Sequence, residues 1–241
     1  MSLLLWRSDR AYLVEPGERL ETDLGIIEVT DELTVGETVE THLGEEFQVL
    51  EPRPTDLMDH LERSGAPMLP RDIGMLIGVA GITAGNHVLD VGTGTGILAI
   101  TLGKLHVSVT TVERQVEAAD VARRNLDIAD VQDHVTLIEG DATEMDFDGP
   151  YNAITLDTGD APDIIERAPE LLHPGGVVAT YSPFIEDARE VVEALRAVDF
   201  NEIESLEPFH RQMDFGERGS RPATAPVGHT GYMTVARYLP P

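Results

Sequence analysis

The chain contains no cysteine, which excludes disulfides, thiolate metal sites and cysteine nucleophiles while leaving the compartment open. Lysine is almost missing too, with sixteen arginines and Lys104 making up the 17 basic residues. Aromatic residues are only 5% of the chain, so a core must be assembled mainly from Val, Ile, Leu and Ala. No apolar run approaches the roughly 20 residues that a membrane-spanning helix requires. The opening segment MSLLLWRSDR is too short and too soon charged for a secretory leader. A cytoplasmic chain with no membrane partner is expected. The eight histidines are scattered without ligand spacing, so no metal is expected either.

What the chain has in excess is acid. Forty-four Asp and Glu against 17 Lys and Arg give a net charge of -27, and the acids are spread along the sequence instead of being gathered in a tail. A globally acidic, lysine-poor surface of this kind resembles the proteins of salt-accumulating archaea, where molar salt screens self-repulsion within a few ångströms. The remaining composition is that of a globular protein: 241 residues, 41% of them hydrophobic, fit one or two domains with a buried core.

Two patterns divide the chain. Residues 1–60 carry short alternating stretches (LLLW, AYLV, GIIEVT, EEFQVL) between Gly-bearing acidic turns, which predicts a small β-rich domain. Thr55 is the expected N-cap of a short helix, DLMDHLERSG, ending at Gly65. Residues 66–241 alternate instead between strand and helix: NHVLDV, GILAITLGKL, VSVTTVE, QVEAADVARRNLDIA, HVTLIEG, YNAITLD, DIIERAPELL, GVVATYS and IEDAREVVEALRAV, after a helix over about 72–79. That order predicts an α/β fold with a doubly wound parallel sheet. The end differs, because FNEIESLEPFH and GYMTVARYL are strands joined by a loop, which predicts a terminal antiparallel hairpin.

The sharpest local signal is VLDVGTGTG, residues 88–96. An apolar strand leads through glycines 92, 94 and 96 into a helix, and bare backbone at such a turn lets a ligand approach closely. Acids end the strands around it. Glu113 lies 21 residues beyond Gly92, the spacing at which a carboxylate accepts both hydroxyls of a ribose. Asp141, in EGDA, is placed for the exocyclic amine of an adenine, and Asp90 for an ammonium group. Carboxyl ends of consecutive strands are where open α/β sheets bind ligands. The set asks for ribose, adenine and an amine. Where a dinucleotide enzyme would have its third glycine, the position after Gly96 is Ile97.

These motifs resemble the class I S-adenosylmethionine-dependent methyltransferases over residues 70 to 241. LDVGTGTG is similar to the family's first motif, TVE to its ribose-binding acid and GDA to its adenine-binding acid. The resemblance implies a Rossmann-like catalytic domain with S-adenosyl-L-methionine as cofactor, held by Asp90, Gly92, Thr93, Gly94, Thr95, Gly96, Glu113, Arg114, Asp141, Ala142 and Asp157.

Two further segments, MLPRDIGMLI at 68–77 and RPATAPVGHTGYMTVARYL at 221–239, are similar to signatures of the tRNA adenine-N1 methyltransferases that act on the T-loop. In that family a small β domain precedes a (Y/H)PKD-like segment, and a GHTGF-like turn leads to the last strand. Here Leu69 stands in place of the aromatic, Arg71 in place of lysine, and Asp157-Thr158-Gly159-Asp160-Ala161-Pro162 in place of DLPxPW. The leading Asp is kept and the Trp is not. The resemblance implies methylation of adenine 58, with adenine 57 as a second target, a tRNA partner and a homotetramer. It also implies Asp157, Tyr181 and His229 as catalytic candidates, and Leu69, Arg71, Asp72, Arg218 and Arg221 as substrate-binding ones. The alternative acceptors for such a fold are a small molecule, as in precorrin-type enzymes, or a protein carboxylate, as in isoaspartyl-type enzymes.

The residue chemistry suits the first reading. Adenine N1 presents an in-plane lone pair, so no base is needed and the task is alignment. A carboxylate accepting from the exocyclic amine would orient the ring and stabilise the charge that methylation leaves on it. Asp157 ends a strand at the ligand edge, while Asp160 is better placed as a helix cap. Residues 208–241 carry four arginines against Asp214 and Glu217, the most basic stretch of the chain and the expected grip on phosphates.

Overall fold

A computed structural model describes residues 2–8, 10–198 and 200–240. The N-terminal part has six strands: β1 (Leu3–Arg7), β2 (Arg10–Val14), β3 (Arg19–Thr22), β4 (Gly25–Glu28), β5 (Thr38–Glu40) and β6 (Glu46–Leu50). Four of them form an antiparallel sheet in the order β2-β1-β6-β5, and β3 pairs with β4. Leu3, Leu5, Val14, Ile27, Phe47 and Val49 fill its core, with Tyr12 edge-on to Phe47 at a ring separation of 5.9 Å.

Helix α1 (Pro54–His60) begins one residue before the expected cap. Arg53 is the N-cap, and its backbone N–H donates to the Asp56 carboxylate at 2.9 Å. Pro54, whose missing N–H costs nothing at a first helical position, sets the start in place of Thr55. The helix ends at His60 and not at Gly65. Leu57, Met58 and Leu61 pack into the same core as helix α3.

The rest follows the expected alternation: α2 (Pro70–Ala80), β7 (His87–Val91), α3 (Ile97–Lys104), β8 (Ser108–Glu113), α4 (Val116–Ala129), β9 (Val135–Glu139), β10 (Tyr151–Leu156), α5 (Ala161–Leu171), β11 (Leu172–Ser182), α6 (Ile185–Ala197) and β12 (Asn201–Leu206). The last strand of the sheet is β15 (Tyr232–Arg237), and the loop before it holds a hairpin, β13 (Met213–Gly216) and β14 (Gly219–Pro222). Seven strands make one sheet in the order β12-β15-β11-β10-β7-β8-β9. All neighbours are parallel except β15, which is antiparallel to both β11 and β12.

Strand alternation assigns the two faces. Val88, Val109, Ala153 and Ala179 share a core with α1, α2 and α3, while Leu89, Val112, Ile154 and Val178 share one with α5 and α6. The chain therefore leaves β7 toward one side of the sheet and β10 toward the other. The crevice at that switch, above the ends of β7 and β10, is where such sheets bind ligands. Among the described residues no helix is long and apolar enough to cross a membrane, and no group of three or more His, Asp or Glu is placed to hold a metal.

Candidate active site

Three cavities meet at this crevice. The main one, about 310 Å³, is walled by Gly92, Gly94, Glu113, Arg114, Asp141, Ala142 and Asp157, with Val112 and Ile164 as apolar surface. A second of about 320 Å³ lies between Asp157, Pro162, Tyr181, Ser182 and Asp187. A small one of about 60 Å³ runs between residues 64–68 and the glycine loop, also touching Asp157. Asp157 alone belongs to all three.

The glycine loop explains the main cavity. Gly92, at φ +94°, lies so close to β10 that an added Cβ would stand 2.2 Å from the Asp157 carbonyl oxygen. Gly94, at φ +54°, has nothing within 4 Å of that point and borders the open cavity. Glu113 closes the loop from below: one oxygen accepts the Gly94 N–H and the other the Gln115 N–H, both at 2.9 Å. Each oxygen keeps a lone pair toward the cavity. Asp141 accepts the Thr143 N–H and hydroxyl on one oxygen, at 2.9 and 2.7 Å. The Thr143 hydroxyl chiefly holds its carboxyl below the ordinary carboxylate range. At the mouth, Arg114 pairs with Asp160 at 2.5 Å. Asp160 stands at the N-cap of α5 but turns its carboxylate to this arginine and makes no side-chain cap.

Asp90 departs from expectation. Strand alternation points it inward on the α3 face, where its register neighbours are Thr111 and Thr155. Both hydroxyls donate to it at 2.7 Å, one to each oxygen. It is 2% exposed and does not line the main cavity, so its carboxylate is not presented to a ligand ammonium. Burial, above all, pushes it up to about 6. Thr93 extends the chain of hydroxyls, 2.6 Å from Thr111.

Asp157 continues from β10, its N–H donating to the Val91 carbonyl at 2.9 Å. Its carboxyl opens to the cavities, yet protein crowds its other sides. That desolvation, then repulsion from Asp90 and Glu113, pushes it up to about 7. Water in the open crevice tempers the push without changing its direction. Because Asp157 and Asp90 bind protons more tightly in the fold, their contribution to stability falls as pH rises from 3.8 toward these values.

The other candidates fall into two groups. Tyr181 lines the second cavity. Asp72 is 0% exposed and accepts the Tyr181 O–H, so as it stands it reaches no substrate, contrary to expectation. Arg71, against the 228–230 turn, lines none of these three cavities, nor does Leu69, the N-cap of α2. His229 has an acceptor at each ring nitrogen, Glu207 at 2.9 Å and the Pro183 carbonyl at 3.1 Å. Those contacts raise its pKa and tie the turn to the ends of β11 and β12. Arg218 and Arg221 sit on the exposed β13–β14 hairpin, where Asp214 stands opposite Arg221 in the strand register.

Sequence reasoning missed Asn125, which is fully buried in α4. Its amide donates to the carbonyls of Thr95 and Glu62 at 2.8 Å and fixes the glycine loop to the segment before α2. Asn125 shares the buried face of α4 with Val121, Ala122 and Ala129, but a lone Asn on such a face does not say which backbone groups it meets. The threonines beside Asp90 were legible only through strand register.

Comparison with known proteins agrees with this geometry. Residues 48–219 match the family model described as the tRNA methyltransferase complex GCD14 subunit. The tRNA (adenine(57)-N(1)/adenine(58)-N(1))-methyltransferase TrmI of Methanocaldococcus jannaschii is 33% identical, covering 99% of this chain and 95% of its own. The tRNA (adenine(58)-N(1))-methyltransferase TrmI of Thermus thermophilus is 29% identical over 98% and 95%. A protein-L-isoaspartate O-methyltransferase of Thermococcus onnurineus matches only 44% of the chain. Among solved structures, a SAM-dependent O-methyltransferase of Thermotoga maritima superposes with a TM-score of 0.84 at 27% identity, over 100% of this chain and 93% of that one. The TrmI structure of Aquifex aeolicus gives 0.79 at 21% identity over 100% and 98%, a likeness of fold. With the matched residues covering the glycine loop, both cavity acids and Asp157, the chain belongs to the family of the tRNA methyltransferase complex GCD14 subunit.

Proposed function

We propose that this chain transfers the methyl group of S-adenosylmethionine to N1 of adenine 58 in the tRNA T-loop, and to adenine 57 as a second target. The observation that carries the reading is Asp157, the one carboxylate shared by the cavity of the glycine loop and the cavity beside Tyr181. The relatives from Methanocaldococcus jannaschii and Thermus thermophilus, which match 98–99% of the chain, are named for this reaction, and those named for protein carboxylates cover less than half of it.

The main cavity fits the cofactor. Glu113 offers an acceptor on each oxygen for a ribose diol, Asp141 keeps an oxygen for the exocyclic amine of adenine, and Val112, Ala142 and Ile164 offer apolar surface for the ring. Gly94 leaves room for the ligand against bare backbone. When bound, the cofactor supplies an electrophilic methyl on a sulfonium. Replacing Glu113 by alanine removes a charged acceptor from two backbone N–H groups, each worth about 1.5–3 kcal/mol. An affinity loss of roughly 10- to 100-fold for S-adenosylmethionine is expected by calorimetric titration, and a loss under about threefold would count against the assignment.

On the acceptor side, Asp157 as carboxylate accepts from the exocyclic amine and turns N1 toward the methyl donor. N1 needs no base, so His229 serves as a clamp for the 228–231 turn. The chain lacks the aromatic before Pro70 and the Trp after Asp157, which leaves Tyr181 as the ring of the acceptor cavity. Leu69, Arg218 and Arg221 are assigned to the tRNA outside the cavities. Exposed Phe209, Met213 and Phe215 on and beside the hairpin supply an apolar surface for assembly as a homotetramer, and a net charge of -27 suits a halophilic cytoplasm.

The test is incubation with S-adenosylmethionine and an unmodified tRNA transcript at 0.1 and 3 M KCl, followed by nucleoside mass spectrometry. One 1-methyladenosine per tRNA, or two where both positions react, with more product at high salt, is expected. A bound cofactor with no methylated nucleoside would overturn the reading.

A further inference from the structure

A carboxylate as deeply buried as Asp72, 0% exposed, persists only where its oxygens are met by donors. One oxygen meets the Arg71 Nε at 3.3 Å and the other the Tyr181 hydroxyl at 3.1 Å. Asp72 lies in the first turn of α2, where backbone N–H groups favour negative charge. Arg71 carries the connection outward, donating to the Thr230 hydroxyl at 3.0 Å and the Gly228 carbonyl at 3.3 Å. The start of α2, the end of β11 and the 228–231 turn are thus gathered around one phenol. The turn also presses on the ring: a Cβ at Gly231 would stand 2.5 Å from Tyr181 Cζ. On its other side the same ring borders the cavity that holds Asp157.

We propose that Asp72 is a positioning residue for the acceptor: by holding the Tyr181 hydroxyl it fixes the phenol ring as a wall of the acceptor cavity, so that the incoming base meets it in one orientation. This rests on the acceptor reading given above. With its proton committed to Asp72 and its ionisation pushed up to about 12, mainly by burial, Tyr181 acts through its ring and not by proton transfer. A base stacked on such a ring gains roughly tenfold to a hundredfold in affinity, provided the ring does not swing.

A double-mutant cycle separates this from a merely structural role. Asp72→Ala is expected to lower kcat/KM for tRNA by about 30-fold, largely through KM, with S-adenosylmethionine affinity within about threefold of wild type. Asp72→Asn, which keeps an acceptor for the phenol, is expected to restore it to within about fivefold. In a Tyr181→Phe background, with no hydroxyl left to hold, Asp72→Ala is expected to cost less than about threefold. An equal cost in both backgrounds would overturn the proposal. Should Asp72→Ala not fold, the absorbance titration of the phenol decides: relative to a Tyr181→Phe blank, Asp72→Asn is expected to ionise Tyr181 at lower pH, and an unchanged curve overturns the contact. If the wild-type protein methylates no tRNA, the function reading fails by itself, while the titration still decides whether Asp72 holds Tyr181.

Discussion

Replacement of Asp157 by alanine is expected to lower kcat for tRNA methylation by about 10²–10³-fold, the usual cost of removing one preorganised charged partner of a transition state, while cofactor affinity changes by less than about tenfold. The asymmetry follows from placement. Asp157 is one of several groups around the main cavity, where Glu113 and Asp141 provide the directional acceptors. In the acceptor cavity it stands with the Tyr181 ring, and it is the one carboxylate that borders both spaces. Asp157→Asn keeps an acceptor oxygen but not the charge that offsets the cation left by N1 methylation, so an intermediate loss of about 10- to 100-fold is expected. The pH dependence gives an independent check. A carboxyl raised to about 7 is partly protonated in neutral buffer, and only its ionised form carries the charge that offsets the cation left by methylation. The wild-type kcat/KM for tRNA is therefore expected to climb between about pH 6 and 8 and then level, and Asp157→Asn to flatten the climb. A wild-type profile that is flat from pH 5.5 to 8.5 would contradict the role.

The second large effect concerns the backbone beneath that carboxylate. Gly92→Ala places a methyl 2.2 Å from the Asp157 carbonyl oxygen at a φ of +94°. Backbone strain of this kind costs about 1–3 kcal/mol before the clash is counted. Since about 1 kcal/mol corresponds to roughly 2–4 °C in a chain of this size, a fall in Tm of about 5–10 °C is expected. Because relief requires β7 and β10 to separate where Val91 receives the Asp157 N–H, cofactor affinity should fall at least about 100-fold. Gly94→Ala makes the contrast. Nothing lies within 4 Å of its added methyl, so the strain of φ +54° remains without a clash and Tm should fall less, while the methyl intrudes into the cavity and weakens binding. Equal Tm losses for the two variants, in thermal melts without ligand, would contradict this reading of the loop.

The alternation of strands and helices after residue 66 was legible because each element buries one face and repeats its apolar residues accordingly. The segments that escaped are those that bury little. β3 reads RLET and β5 reads TVE, with half or more of their side chains in solvent, and β13 and β14 are exposed throughout. Local turn chemistry makes such strands, and no hydrophobic period announces them. The start of α1 went to Pro54 because an Arg53–Asp56 cap outweighed Thr55. Strand β11 begins at Leu172, four residues before the expected GVVATYS, directly after a helix that tolerates Pro169 near its end.

The site divides in the same way. Glycines and strand-end acids announce themselves through spacing, and Gly92, Gly94, Glu113, Asp141 and Asp157 do converge on one cavity. Side-chain direction is not in the spacing. Asp90 also ends near a strand terminus, yet the two-residue period turns it toward Thr111 and Thr155. Asp72 looked like a residue for substrate, and only the packing of α2 on β11 shows that it faces Tyr181.

The measurement that bears most directly on the central claim is position-resolved methyl transfer. Wild-type protein and Asp157→Ala, each loaded with S-adenosylmethionine in molar KCl, would be given an unmodified tRNA transcript, and the product read by reverse transcription, which halts at 1-methyladenosine. Stops confined to adenines 57 and 58, and reduced at least about 100-fold in the variant, are the expected result. Stops elsewhere, or stops of equal strength with Asp157→Ala, would contradict the assignment of this crevice to T-loop adenine and of Asp157 to its orientation.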